Sequence, residues 1–495
     1  MSGQSAAALR HHLEEIDAKT AALAAERQNV VEKLQRITYR VLKLPVEIMS
    51  EIFLLSSLDR IKIGEHQDTG PFILASVCKH WREIALGLCQ LWTRISILCL
   101  DPRPVQRILS LCVSRAGNAV NLNVEFYGFD ATFALLAPLA ERLSELELHS
   151  VRIRQWNSIR QRLPRLQRLS IYCPFDEPLG REGLRVVFET APMLREVHLS
   201  GPVSNNPCDL ISLPWAQLTS LSLFSIKPDW CIQILSKTPA LETLNLELFG
   251  VSLLSSTLPK LSLERVHTLI VDCTPNPSDA GPRRHHLIDW LTLPALTHLT
   301  FRHREPYVDV FPQLLSRSKC GATLRSVTID TNDSYGAVTR ILDAAQHLDR
   351  LTVTGLGWEE LEELMFFLAP GDGESNSDTE SEASIILLDG PPVAPAKSPQ
   401  PIRHIQHVRL AMALGPIPYP SIASFVSRSQ NISLKSFELC IPHNKPDPTT
   451  AAHRKPEVEA AAVKKIRHIA AAPDRPNVSI KFGDVDVLSN SKLGV

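Results

Sequence analysis

Leu143-Ser144-Glu145-Leu146-Glu147-Leu148 decides the reading of this 495-residue chain, because its spacing recurs. Leu-x-x-Leu-x-Leu, with Ile, Val or Phe at some apolar positions, begins again at Leu166, Leu194, Leu218, Leu241, Val266, Leu296, Leu324, Leu348, Ile405 and Leu434. The steps are 23, 28, 24, 23, 25, 30, 28, 24, 57 and 29 residues. Steps in the twenties are the period of stacked-strand repeat arrays. The step of 57 equals about two repeats, or one repeat plus an insertion. Weaker units precede these, at Trp92-Ile95-Ile97 and Ala119-Leu122-Val124.

The positions between the apolar ones were not used to choose the units, so they test the reading. Two residues after each start stand Glu145, Arg168, Glu196, Ser220, Thr243, Thr268, His298, Ser326, Arg350, His407 and Ser436. Four residues after stand Glu147, Ser170, His198, Ser222, Asn245, Ile270, Thr300, Thr328, Thr352, Arg409 and Glu438. All but Ile270 are polar, the alternation a half-buried strand requires. A single unit cannot bury its apolar side, but a stack of parallel strands can. Pro164, Pro192, Pro239 and Pro294 each close a return segment before the next strand.

The expected architecture is α/β, a solenoid with a parallel sheet and a polar face. This array resembles a leucine-rich-repeat domain. It departs from that pattern where an Asn or Cys is expected after the strand, since only Asn332 supplies one. The resemblance therefore implies an irregular array with variable return helices; an unrelated α/β repeat is the alternative. Aromatic and Arg side chains dominate binding energy at interfaces. On the polar face, Arg168, Tyr172, His198, Phe224, Asn245, Arg302, Arg350 and Arg409 are the candidate contacts to a protein target.

Upstream, Leu9, Leu13, Ile16, Thr20, Leu23, Arg27, Val30, Leu34, Ile37, Val41 and Leu44 follow one another at alternating 4-3 spacing. No Pro or Gly interrupts residues 4–44. That spacing averages the coiled-coil period rather than the free-helix period. It predicts a helix with an apolar seam, either self-associating as a coiled coil or docked on the rest of the chain.

The seam runs into Leu44-Pro45-Val46-Glu47-Ile48-Met49-Ser50-Glu51-Ile52-Phe53. Pro45 suits a first helical turn, and Glu47 complements the helix N-terminus. After a polar break from Lys62 to Gly70 come Ala75-Ser76-Val77-Cys78-Lys79-His80-Trp81-Arg82-Glu83-Ile84-Ala85 and Leu91-Trp92. Val77, Trp81, Ile84 and Ala85 would share one helical face. The order and spacing of these residues resemble an F-box. With the helix ahead of it, the arrangement is similar to the large family of F-box proteins in mushroom-forming fungi.

That resemblance implies docking on a Skp-family adaptor and, through it, a cullin-RING ubiquitin ligase. By match to the family motif, Leu44, Pro45, Ile48, Ile52, Phe53, Val77, Cys78 and Trp81 would carry the contact, while some of them, Trp81 among them, also build the module's core. The domain reading is a coiled-coil helix over 4–43, an F-box over 44–95, the repeat array over 96–482 and a tail over 483–495. Residues 371–401, acidic and then Pro-rich, form an insertion too polar to pack and expected to be disordered. Ser377 and Thr379 within it have Glu three residues on.

Composition narrows the function classes. Lys plus Arg is 52 against 53 for Asp plus Glu, a net charge of −1, which argues against nucleic-acid binding. The most apolar stretch, Ile84 to Leu100, is broken by Gln90 and Arg94, so no membrane span is expected. The ten cysteines form no C-x-x-C pair, which points to reduced thiols in the cytoplasm or nucleus rather than zinc or a disulfide framework. No phosphate-binding loop, nucleophile elbow or H-E-x-x-H motif is present. The expectation is a non-enzymatic substrate-recognition subunit of a ubiquitin ligase, without metal or cofactor. The alternative is an interaction scaffold unconnected to ubiquitin transfer.

Overall fold

The computed structural model describes residues 6–36, 40–57, 59–64, 70–98, 101–118, 121–127, 134–149, 163–172, 186–188, 190–201, 206–249, 259–274, 287–303, 310–331, 335–345, 347–369, 404–412, 417–428, 434–441, 456–471, 476–482 and 485–486. The chain divides into two compact units, residues 1–123 and 124–495.

The first unit opens with helix α1 (Ala6–Arg36). Its described apolar seam residues Leu9, Leu13, Ile16, Leu23 and Val30 are 46–66% exposed, so the helix is not held by burial of that stripe within this chain. Helices α2 (Val46–Ser56), α3 (Gly70–Val77), α4 (Lys79–Gly87) and α5 (Pro102–Ala116) follow. Pro45 stands at the N-cap of α2, where its missing N–H costs no intrahelical bond. Asp101 caps α5 by accepting a hydrogen bond from the Arg103 amide at 3.0 Å.

Two local expectations need correction. Val77 and Trp81 do not lie on one continuous helix. Cys78 is extended at φ −157°, and its thiol accepts the Trp81 amide at 3.4 Å, so it ends α3 and caps α4. Strand β1 (Ile61–Ile63) runs into the stretch expected as a polar break from Lys62, and it pairs in parallel with β2 (Arg94–Ile97). Ile61, Ile63, Ile95 and Ile97 are all buried, which makes this pair part of the unit's core.

The second unit begins inside β3 (Leu122–Tyr127) and carries a long sheet. Its strands continue as β4 (Leu143–His149), β5 (Arg168–Tyr172), β6 (Val186–Val187), β7 (Glu196–Ser200), β8 (Ile211–Ser212), β9 (Ser220–Phe224), β10 (Thr243–Phe249) and β11 (Leu261–Ser262). Then come β12 (Thr268–Thr274), β13 (Leu291–Thr292), β14 (His298–His303), β15 (Ser326–Thr331), β16 (Arg350–Leu356), β17 (His407–Met412), β18 (Ser436–Ile441), β19 (Asn477–Phe482) and β20 (Val485–Asp486). Strands β6 with β8 and β11 with β13 form separate short pairs; the rest are neighbours in chain order in the main sheet. From β4 to β19 that sheet is parallel, and β20 is antiparallel to β19. Thus β20 falls in the stretch read from sequence as a tail.

The register follows the repeat spacing residue for residue. Glu145 pairs with Arg168, Arg168 with Glu196, Glu196 with Ser220, and so on through Ser326, Arg350, His407 and Ser436. The apolar residues at the unit starts, from Leu143 to Leu434, are buried throughout. One residue after each start, main-chain amides bond from unit to unit: Gln167 to the Ser144 carbonyl, Arg195 to Gln167, Thr219 to Arg195, Glu242 to Thr219 and His267 to Glu242, at 2.8–3.0 Å. The relay continues through Thr297, Arg325, Asp349, Gln406 and Lys435 at 2.7–2.9 Å. Backbone thus bonds to backbone along this edge, with side-chain bonds such as Thr297 to the His267 carbonyl added at some steps.

The 57-residue step is one repeat plus an insertion, because β16 pairs directly with β17. The insertion, with Ser377 and Thr379, lies outside the described residues, as does Asn332. On the return side, α8 (Val310–Ser318), α9 (Tyr335–Ala344), α10 (Trp358–Leu368), α11 (Tyr419–Arg428) and α12 (Pro456–Ala470) join the shorter α6 (Pro207–Leu210) and α7 (Pro228–Leu235). Among the described residues, no helix is long and apolar enough to cross a membrane.

Candidate functional site

In the first unit, the residues matched to the docking motif separate by burial. Leu44, Ile48, Ile52 and Val77 are 37–56% exposed, and Pro45 is exposed too. Val46, Leu55 and Ile73 are further exposed apolar side chains that the motif does not single out. Exposed apolar side chains clustered on one small unit are the usual mark of an interaction surface. Phe53 departs from the expectation of direct contact: it is fully buried, with its ring centroid 5.0 Å from that of Trp81. It lies on the inward side of α2 together with Met49. Trp81 is partly buried in the same contact, and Cys78 is occupied in capping α4.

In the second unit, successive side chains of a strand alternate between faces. Leu146, Leu148, Leu169, Ile171, Leu221 and Leu223 are buried to the last ångström on one face. All eight residues expected to meet a target lie on the other. They do not form one pocket. Tyr172 on β5 and Arg302 on β14 are five ladder steps apart, about 24 Å at the usual interstrand spacing.

Some are tied to neighbouring strands. Arg168 reaches Glu145 and Glu196, both at 2.9 Å. Arg302 lies 3.7 Å from Asp272, and Arg409 lies 3.6 Å from Glu438. Lys481 contacts Glu438 at 2.6 Å and is the main cause of that carboxyl's lowered pKa. Asn245 is half-buried, and Arg350 is exposed.

Tyr172, His198 and Phe224 belong to a continuous run of rings. Tyr127 stacks on His149 at 4.0 Å, and His149 on Tyr172 at 4.4 Å. Tyr172 meets His198 at 4.7 Å, and His198 meets Phe224 edge-on at 4.5 Å. Burial pushes the His198 pKa down to about 4, against the opposing pull of Glu147 and with the help of His149. The imidazole is therefore neutral near pH 7.

His149 is the member that sequence spacing does not single out. Glu147 and His149 are two apart on β4 and so share a face; that much is legible. Glu125 comes from β3, the neighbouring strand. His149 Nε2 lies 3.4 Å from a Glu125 oxygen and 3.9 Å from a Glu147 oxygen. Among the described residues, Glu125, Glu147 and His149 are a group whose spacing could hold a metal ion.

Two of the described thiols are the reverse of activated. Cys231 is fully buried and its pKa is raised by burial, and Cys112 is pushed up to about 12 for the same reason. A nucleophilic cysteine needs the opposite shift. No protein-family model matches this chain, and no curated protein matches it.

Proposed function

We propose that this chain is a substrate-recruiting subunit of a Skp-cullin-F-box ubiquitin ligase: an F-box over 44–95 docks a Skp-family adaptor, and a leucine-rich-repeat array offers its polar face to a protein target. The observation that carries the reading is the exposed apolar set Leu44, Ile48, Ile52 and Val77 on α2, on α3 and two residues ahead of α2. Leaving four large apolar side chains in water makes sense for a surface that is covered in use. The motif resemblance supplies the partner's identity. Any ubiquitin transfer would be the work of the partner subunits.

The test is capture of adaptor and cullin by the tagged full chain. Replacing Pro45 and Ile48 together with Ala and Asp should abolish capture of both, with the thermal transition retained. Undiminished capture by that variant would remove the docking assignment.

The exposed seam of α1 favours a second reading, a self-associating scaffold with no link to ubiquitin transfer. Recovery of adaptor without cullin would favour it.

A further inference from the structure

The ring run on β3 to β9 encloses an arrangement that recognition of a protein target does not require. Glu125, Glu147 and His149 each offer one donor atom, and all three atoms lie within 4.8 Å of one another. Their side chains are only 17–26% exposed. Bonds of about 2.0–2.2 Å around a tetrahedral ion place donor atoms about 3.3–3.6 Å apart. The separations of 3.4 and 3.9 Å from His149 Nε2 to the two carboxylates are close to that spacing.

Three features set this group apart from a chance cluster of acids. The His149 ring is clamped between Tyr127 and Tyr172, at interplanar angles of 12° and 5°, which fixes where Nε2 points. Nε2 is shielded from solvent and makes no hydrogen bond, although a carboxylate oxygen of Glu125 and one of Glu147 lie within 4 Å of it. The Tyr127 hydroxyl donates to a Glu125 oxygen at 2.8 Å, as outer residues do when they orient a ligating carboxylate. Two carboxylates in one small cluster also bring negative charge together, which a divalent ion balances.

We propose that Glu125, Glu147 and His149 form a binding site for a divalent transition-metal ion of the zinc type. The donor set, one imidazole with two carboxylates, suits zinc, iron or cobalt better than calcium or magnesium, which take oxygen alone. Three protein donors leave a coordination position open on the polar face. A carboxylate or imidazole of a bound protein could complete it. The site stands independently of the adaptor reading, since it lies wholly in the second unit.

The probes are Co2+ and Zn2+, added separately to the metal-free full chain near pH 7.5. Co2+ should give visible d–d absorption with one site per chain, and Zn2+ should displace it. Glu147→Gln and His149→Gln should each abolish that absorption. Tyr127→Phe keeps the ring stack and should weaken the affinity by roughly 10- to 100-fold. The proposal is overturned if the wild type gives no d–d bands, or if the bands persist unchanged in Glu147→Gln and His149→Gln, which would place the ion on other residues. If those two variants fail to fold, Tyr127→Phe decides, and an unchanged affinity there also overturns the site.

Discussion

At the scale of single residues, His198 shows how position on the sheet changes a side chain's chemistry. Burial among Tyr172 and Phe224 holds its pKa near 4, well below the ordinary value of 6.5. Between these two pH values the unfolded chain binds the proton and the folded chain does not. Stability therefore falls as pH drops through that window and levels off below it. The titratable groups facing His198 are Glu147 and His149. Urea unfolding at pH 7 and pH 4.5 should show a smaller loss for His198→Asn than for the wild type; equal losses would contradict the burial argument. His198 was legible as a polar-face residue from its offset alone. His149 was not legible as a metal ligand, because Glu125 reaches it only through the adjacency of β3 and β4, which no spacing within one strand encodes.

At the scale of elements, the parts that could be read were those governed by period. The offsets of the polar residues became the strand register from β4 to β18, because a slip of one residue would turn every buried Leu outward. The parts that could not be read were decided by contacts over distance. Ile61-Lys62-Ile63 is too short to announce a strand, and its pairing with β2 makes it one. Cys78 looks like the middle of a helix until its thiol is seen to accept the Trp81 amide. Phe53 carries the same lesson for α2. It shares a motif with Ile48 and Ile52 but faces the opposite way, against Trp81 on α4. Phe53→Ala should cost the first unit about 3–5 kcal/mol, the usual penalty for emptying a large core position. Ile48→Ala should leave stability nearly unchanged. Thermal unfolding of the two variants separates the roles, and similar losses would mean that α2 packs differently.

At the scale of the whole molecule, residues 371–401 interrupt the sequence but not the ladder. The Asp349 carbonyl receives the Gln406 amide at 2.9 Å, within the 2.7–3.0 Å range of the other steps. Replacing 371–401 with a short Gly-Ser linker should therefore leave the unfolding midpoint of the second unit unchanged or slightly raised, since closing a shorter loop costs less entropy. A marked fall in the midpoint would mean that the segment packs against the array. The continuity has a wider consequence. From Ser144 to Lys435 the stack is held at its edge by an unbroken relay of bonds between peptide groups, to which side chains such as Thr297, on the His267 carbonyl at 2.9 Å, only add. Whatever is written on the outward positions is thus decoupled from what keeps the strands in line, so new lettering there could redirect the molecule to a different client while the frame beneath stays the same.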